Sequence, residues 1–206
     1  MPTIDDILNT GKLTSCATFL LDAETRGDKD AALKKIISAR GDVPVIILIN
    51  DSTIRELLMR MGLEKDTKGF GSIYVIDCYT TYTLGSQVVL PEELNDFSEN
   101  IVMIKNPGDF TFMLIETMRI MKHIDKPFIF IMDNLSSMLI TSSARDVYSF
   151  LHVLRGKVSA HGGTSIWFVN ESMHEEKDVN AIKNLVDLSI NLSKLNGKSK
   201  ISKKGQ

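Results

Sequence analysis

Short apolar segments alternate along this chain with segments that have the periodicity of an amphipathic helix. Residues 43–49 form a continuous run rich in β-branched side chains, which is typical of a strand covered on both faces. Residues 28–40, just before it, repeat their apolar side chains at the spacing of one helix face. Because right-handed crossovers place helices on both faces of a parallel sheet, this alternation predicts an α/β fold, a three-layer αβα sandwich around a mostly parallel central sheet.

The same reasoning locates the individual strands and helices. Strands are predicted over residues 13–23, 43–49, 73–78, 101–105, 127–132, 165–169 and 188–192. Helices are predicted over residues 28–40, 54–61, 110–121, 143–160 and 179–185. Residues 50–52 and Asp109 are expected to cap two of these helices, and Glu56 is placed to complete a capping box. Residues 79–100 show no regular pattern, and we expect a long connection there.

Composition is that of an ordinary globular protein. The 206 residues include 43% hydrophobic and 24% charged residues, with a formal net charge of -2. A chain of this length can bury roughly 70% of its unfolded surface around one core, so we predict one domain over residues 1–193. Residues 194–206 contain five lysines and no acid, which predicts a basic, flexible C-terminal tail. The near-neutral balance of the whole chain does not predict binding to nucleic acid or to an acidic membrane surface.

The cysteines and histidines predict no metal site. Cys16 and Cys78 both lie in apolar, strand-like segments, where we expect them to be buried, and no second pair stands at metal-ligand spacing. The four histidines lack ligand spacing as well. No apolar stretch reaches the length of a membrane span, and a reducing cytoplasm is the expected location.

Polar side chains follow most of the predicted strands. Parallel sheets bind ligands beyond the carboxyl ends of their strands, so these residues are candidates for a site. The strand-end residues are Asp22, Asn50, Asp51, Asp77, Asp133, Asn170 and Glu171. The alternative interpretation is that Asp22, Asp51 and Asp77 only cap the helices that follow them.

In the second half of the chain, the apolar run 128–132 ends in Asp133-Asn134-Leu135-Ser136, and Gly163-Thr164-Ser165 leads into a strand that ends near Glu171. The order and spacing of these segments resemble the KaiC-like branch of the RecA superfamily, its archaeal members especially. That resemblance implies a P-loop NTPase-like sheet, with Asp133 at the Walker B position and Glu171 at a distal acidic position.

The family's phosphate loop falls on residues 23–30, where the motif Gly-x-x-x-x-Gly-Lys-Ser/Thr is degenerate. Ala23 and Asp28 replace the two glycines, Asp30 replaces the hydroxyl residue, and only Lys29 is kept. A carboxylate about 4 Å from a phosphate charge costs roughly 4 kcal/mol at an effective dielectric near 20. We therefore expect ordinary ATP binding at this loop to be disfavoured.

The family's paired glutamates after the second strand match Asn50 and Asp51. One of these glutamates is the general base that activates water, and an amide such as Asn50 cannot accept a proton. The resemblance therefore implies a dead catalytic base. The alternative is that Asn50 and Asp51 cap the next helix and that the match is one residue out of register.

These features predict a catalytically inactive, KaiC-like protein that acts as a regulatory or scaffolding subunit. It would assemble as a homo-oligomer or with an active paralogue, and no cofactor is expected. The alternative is a nucleotide-binding protein or ATPase with a non-standard phosphate loop, in which Lys29 and Arg26 contact phosphates while Asp30 and Asp133 hold magnesium. Two further alternatives are a metal-dependent phosphohydrolase built on Asp22, Asp51 and Asp133, and a nucleic-acid-associated regulator that uses the basic tail.

Overall fold

A parallel sheet of seven strands organises the molecule. The structure is a computed structural model, and it describes residues 16–62, 72–85 and 92–192. The strands are β1 (Thr18–Asp22), β2 (Val45–Ile49), β3 (Ile73–Asp77), β4 (Ile101–Met103), β5 (Phe128–Met132), β6 (Gly163–Val169) and β7 (Leu188–Asn191). Their order across the sheet is β4-β3-β2-β5-β6-β1-β7, and every pair is parallel.

Helices connect the strands. The α-helices are α1 (Arg26–Ala39), α2 (Ile54–Met61), α3 (Thr80–Leu84), α4 (Phe110–Met121), α5 (Leu135–Thr141), α6 (Ala144–Ala160) and α7 (Glu176–Lys183). Among the residues that the structure describes, 3₁₀ helices cover Glu92–Asn100 and Glu171–Met173. Within the described ranges, no helix combines the length and the apolar character that crossing a membrane requires.

Each face of the sheet contributes to a separate apolar core. In β2, Val45, Ile47 and Ile49 belong to one core, and Ile46 and Leu48 belong to the other, because successive strand residues point to opposite faces. Helices α1 and α2 cover the first face, and α4, α5, α6 and α7 cover the second. The predicted three-layer αβα sandwich is confirmed.

Most predicted elements are present, with some corrections. The cap of α2 is Thr53, which forms a capping box with Glu56, so the prediction that residues 50–52 cap this helix is wrong. Helix α5 begins at Leu135, with Asn134 as its N-cap after Asp133, and was not predicted. Residues 79–100, expected to be an irregular connection, include α3 and the first 3₁₀ helix, while residues 86–91 lie outside the described ranges.

The two cysteines differ in exposure. Cys78 is buried as predicted, but Cys16 is exposed, because β1 begins two residues after it at Thr18. The predicted basic tail at residues 194–206 lies outside the described residues.

Since all seven strands run in the same direction, their polar carboxyl ends meet at one edge of the sheet, where Asp22, Asp77 and Asp133 lie.

Candidate functional site

The connection between β1 and α1 is a short, self-capped turn. Strand β1 ends at Asp22 and α1 begins at Arg26, so only three residues separate them. The Thr25 hydroxyl accepts the backbone N–H of Asp28 at 3.2 Å and donates to the Asp28 carboxylate at 2.7 Å. Residues 26–30 of the predicted phosphate loop therefore already belong to the start of a helix. The Thr25 side chain accepts one of the N–H groups that the helix would otherwise leave free at this end.

Asp133, which the resemblance places at the Walker B position, is bound by an arginine. It follows β5 and is fully buried, and Arg60 reaches it from α2. Arg60 Nη1 donates to Asp133 Oδ2 at 2.9 Å, and Arg60 Nη2 donates to Asp133 Oδ1. This two-point geometry is the strongest form of pairing between a guanidinium and a carboxylate.

The same guanidinium also binds Asp30. Arg60 Nε donates to Asp30 Oδ1 at 2.7 Å, and Arg60 Nη1 donates to the Ser52 hydroxyl at 2.9 Å. By the resemblance, Asp30 and Asp133 hold the two positions from which this family binds magnesium. In this protein, an internal cation bridges the two residues.

Lys29 completes the cluster from the first turn of α1. Its Nζ lies 3.3 Å from Asp51 Oδ2 and 3.6 Å from Asp133 Oδ1, and only 9% of its side chain is exposed. Asn134 donates a further hydrogen bond to Asp51 Oδ2. Two cations, Lys29 and Arg60, thus face the carboxylates of Asp30, Asp51 and Asp133.

Burial and pairing set the ionisation of the cluster. Burial raises the pKa of Asp133 above its ordinary value, against the hydrogen bonds of Arg60 and the charges of Arg60 and Lys29. Burial would lower the pKa of Arg60, but its bonds to Asp133 and its attraction to Asp30 outweigh that effect and raise it. Burial would also raise the pKa of Asp51, but Lys29 and Asn134 outweigh it and lower the value. The cations therefore oppose the effect of burial on the pKa of both Asp51 and Asp133.

The other predicted site residues lie outside this cluster. Glu171 pairs with Lys183 at 2.6 Å, and its backbone N–H donates to Asp22 Oδ1 at 3.0 Å. Asn191 also donates to Asp22, whose pKa is raised by burial. Asn50 makes no side-chain hydrogen bond within the described part of the chain. The structure therefore brings together Lys29, Asp30, Asp51 and Asp133 but not Glu171.

The alternative interpretation was that Asp22, Asp51 and Asp77 only cap the helices that follow them. Of these three acids, only Asp77 accepts N–H groups where the next helix begins. Asp77 accepts the N–H groups of Tyr79 and Thr80 as α3 begins. Asp51 instead pairs with Lys29, since Thr53 caps α2. Asn50 and Asp51 are not the helix caps that the alternative proposed.

Arg60 was not among the predicted site residues, although the sequence carried a signal for it. It lies three residues after Leu57 and next to Met61, on the buried stripe of an amphipathic helix. A charged residue at such a position needs a partner of opposite charge. Its partners could not be named, because Asp30 and Asp133 are distant in the sequence.

A shallow hollow adjoins the cluster. Its volume is about 190 Å³, and its lining includes Thr25, Arg26, Lys29, Asp51 and Asn134. Ligand pockets for drug-sized molecules measure roughly 300–1,000 Å³, so this hollow is small for a nucleoside triphosphate.

Comparison with known proteins supports the fold. The KaiC-like protein PH0186 from the hyperthermophilic archaeon Pyrococcus horikoshii OT3 is structurally similar, with a TM-score of 0.57 over 85% of this chain and 71% of that protein. The two sequences are 14% identical, so the likeness shows a KaiC-like, RecA-type fold alone. A search of curated proteins gives no significant match. The model of a family of unknown function, DUF7504, matches residues 18–192, and the chain belongs to this family.

Proposed function

We propose that this protein is a catalytically inactive KaiC-like subunit that regulates or scaffolds other proteins by assembling with them. One observation carries the proposal: Arg60 occupies both oxygens of Asp133 and one oxygen of Asp30. By the resemblance, Asp30 and Asp133 are the two positions from which a relative with an intact site would hold its metal ion.

Magnesium would have to displace Arg60 to reach these carboxylates. Magnesium binds through one or two carboxylates, retained waters and substrate phosphates, at short and rigid distances. Removing one partner of a buried ion pair costs about 3–5 kcal/mol, because the other charge is left without compensation. The internal ion pair therefore competes directly with metal binding.

Two other features also oppose nucleotide binding and hydrolysis. The short, Thr25-capped turn before α1 has a carboxylate, Asp28, at the position where the family has its second glycine. Asn50, at the position of the catalytic base, cannot take a proton from water. Phosphate binding, metal binding and water activation are each weakened by a separate change.

Calorimetry and a phosphate-release assay test the inactive state. We expect the wild-type protein to show no sub-millimolar binding of ATP, ADP or GTP with magnesium and no release of phosphate, while an active KaiC-like ATPase measured in parallel shows both. Sub-millimolar binding that is abolished by Lys29→Ala would contradict the proposal. Lys177→Ala is the matched control, because Lys177 is 74% exposed and forms its ion pair with the exposed Glu175, far from this cluster in the sequence.

A second candidate function is nucleotide binding in a non-standard pose. The hollow of about 190 Å³ beside the start of α1 favours it, because Arg26 and Lys29 line the hollow and a helix N-terminus attracts anions. The pairing of Lys29 with Asp51 and Asp133 opposes it, since phosphate would have to break those contacts. The same calorimetry separates the two functions.

The assembly part of the proposal draws on the outer surface of α4. Phe112 and Ile115 lie three residues apart on this helix and are 40% and 54% exposed. Residues at this spacing share one helix face, so together they form a small apolar stripe. Exposed apolar groups of this kind are typical of protein contact surfaces when they are contiguous.

The role of the lysine-rich tail in binding nucleic acid stays a prediction from the sequence.

A further inference from the structure

One part of the surface is almost without charge. It consists of three segments that meet around one cleft at the carboxyl edge of the sheet: α3, residues 106–115 with the first half of α4, and residues 135–143 with α5. We call it the uncharged face. Asp109 is the one charged residue in these segments, whereas 24% of the whole chain is charged. Its carboxylate accepts the backbone N–H of Phe112 at 2.9 Å, so it serves as the cap of α4.

The uncharged face also concentrates exposed apolar side chains. Five of the nine large apolar side chains that are exposed in the described structure lie on it, and they are between 40% and 67% exposed. They are Tyr82 and Leu84 of α3, Phe112 and Ile115 of α4, and Ile140 of α5. Depletion of charge together with exposed aromatic and aliphatic side chains is the composition of the central part of a protein–protein interface.

The shape of this face combines a cleft with a ridge. The cleft has a volume of about 230 Å³, and its walls include Tyr82, Pro107 and Ile140. The ridge is the apolar stripe of Phe112 and Ile115, which begins five residues after Pro107 on the outer side of α4. The cleft is smaller than the roughly 300–1,000 Å³ of pockets for drug-sized molecules. It suits one aromatic or aliphatic side chain, which is the kind of anchor that fills the pockets of interface hot spots.

We propose that a second copy of this chain covers the uncharged face, in a two-fold dimer in which Phe112 of each copy enters the cleft of the other. This inference rests on the assembly role proposed above, and it names the partner and the surface. A two-fold contact places the same patch of both copies face to face. A ridge and a cleft on one patch therefore satisfy each other twice.

Charge favours a second copy as the partner. A two-fold contact brings each residue near the axis close to its own counterpart, and like charges in such a place repel each other. The uncharged face avoids this repulsion, because Asp109 is engaged as a helix cap and Asp51, which also lines the cleft, is paired with Lys29. The net charge of the chain is only -2, so two copies repel each other weakly at longer range.

Native mass spectrometry and light scattering of the whole chain test the dimer. We expect the wild type to have the mass of two chains at a concentration of about 0.1 mM. Phe112→Lys and Ile140→Glu should each raise the dimer Kd by at least about tenfold, because each substitution places a charge in both contacts of the dimer. Val153→Glu is the matched control, because Val153 is 43% exposed, close to the value for Phe112, but lies on α6 outside the uncharged face.

Mixing the two variants tests the pairing itself. In the mixed dimer, one contact keeps the wild-type Phe112 and the wild-type cleft, while the other sets the introduced lysine against the introduced glutamate. We therefore expect the heterodimer to form at least about tenfold more tightly than either variant homodimer. Thermal melting checks that each variant is folded, and Tyr82→Glu, on the α3 side of the cleft, replaces Ile140→Glu if that variant does not fold.

A wild type that is monomeric at this concentration, or that forms rings or filaments instead of dimers, overturns the inference. Variants that dimerise as tightly as the wild type, or a mixture that associates no better than its components, overturn it as well. The inactive site is tested separately by calorimetry, so none of these results contradicts it. A monomer that binds an active KaiC-like relative would still fulfil the proposed scaffolding role.

Discussion

Arg60 forms the central ion pairs at the carboxyl ends of the strands. Its guanidinium joins α2 to the end of β5 through Asp133 and to the first turn of α1 through Asp30. Both Arg60 and Asp133 are buried, with 8% and 0% exposure. One side chain therefore ties together three elements and neutralises the acid at the centre of the site.

The first prediction concerns the Arg60–Asp133 pair. Arg60→Met keeps an unbranched apolar stem but removes the guanidinium and leaves Asp133 buried without its main partner, so we expect a loss of about 3–5 kcal/mol in the free energy of unfolding. The measurement is urea denaturation at pH 7. The double variant with Asp133→Asn should recover a large part of the loss, because no buried charge is then left unpaired.

Arg119→Met is the control for that prediction. Arg119 pairs with Glu116 on α4, but 52% of its side chain is exposed, so the change should cost only about 0–1 kcal/mol. Equal losses for Arg60→Met and Arg119→Met would show that the buried pair contributes no more than a surface pair.

The second prediction concerns pH. The pKa of Asp51 is lowered in the folded state, so its pairing stabilises the protein above about pH 3.8 and this contribution is lost as the pH falls through the lower, folded-state pKa. Without Lys29, burial is the largest remaining influence and the pKa of Asp51 rises. We therefore expect Lys29→Met to cost about 1–3 kcal/mol at pH 7. The difference from wild type should shrink as the pH falls, first through the raised pKa of Asp51 in the variant and then through its lowered pKa in the wild type.

Unfolding curves measured from pH 3 to pH 7 test this expectation. Lys177→Met, which alters an exposed pair, should follow the wild type throughout. A Lys29→Met deficit that is constant across the whole pH range would mean that the lysine stabilises the fold through packing and not through charge.

Single residues were only partly predictable from the sequence. The resemblance marked Lys29, Asp30 and Asp133, and the structure places all three within one cluster. It could not identify Arg60, because contacts between residues 30 and 73 positions apart follow from the tertiary fold. The separation of Glu171 from the cluster, through its pair with Lys183, is likewise a result of three-dimensional packing.

At the level of elements, β6 packs closely against its neighbours where it begins. Gly163 is the first residue of the strand, and a Cβ added there would lie 2.7 Å from Val158 Cγ1 and nearer still to the ring of Phe128. Only glycine lets α6, β5 and β6 approach so closely at this point.

The third prediction compares two glycine substitutions. Gly163→Ala should lower the free energy of unfolding by about 1–3 kcal/mol through overpacking. Gly156→Ala, in the middle of α6 where an added Cβ meets nothing within 4 Å, should raise it by about 0.5–1 kcal/mol through helix propensity. Chemical denaturation of both variants gives the answer, and a neutral effect of Gly163→Ala would show that Phe128 and Val158 readily move aside.

Elements were more predictable than contacts. The seven strands were recognisable because buried parallel strands are nearly continuous apolar runs, as in β2 and β5. Helix α5 was missed because it has only seven residues, Leu135–Thr141, so its pattern is too short to show helical periodicity. The cap of α2 was misplaced because Asn50, Asp51, Ser52 and Thr53 are all suitable capping types, and only geometry selects among them.

At the level of the whole molecule, the fourth prediction concerns assembly. If the proposed role is right, size-exclusion chromatography with light scattering should give a mass above that of a monomer, either for the protein alone or with an active KaiC-like relative. The double variant Phe112→Glu and Ile115→Glu should reduce that mass, because it places charges in the apolar stripe of α4.

Met59→Glu is the matched control, since Met59 is similarly exposed at 53% but lies on α2. A wild-type protein that stays monomeric and binds no relative would contradict the assembly role while leaving the inactive site untouched. An equal effect of Met59→Glu would indicate that any added surface charge disturbs the association.

The strand order has a consequence for biosynthesis. Strand β1 lies between β6 and β7, so this apolar segment finds its neighbours only after the residues of β6, from 163 onward, have been made. Pairing over such long sequence separations slows folding. The nascent chain must hold this segment unpaired until β6 leaves the ribosome, which makes it a natural point for chaperone protection.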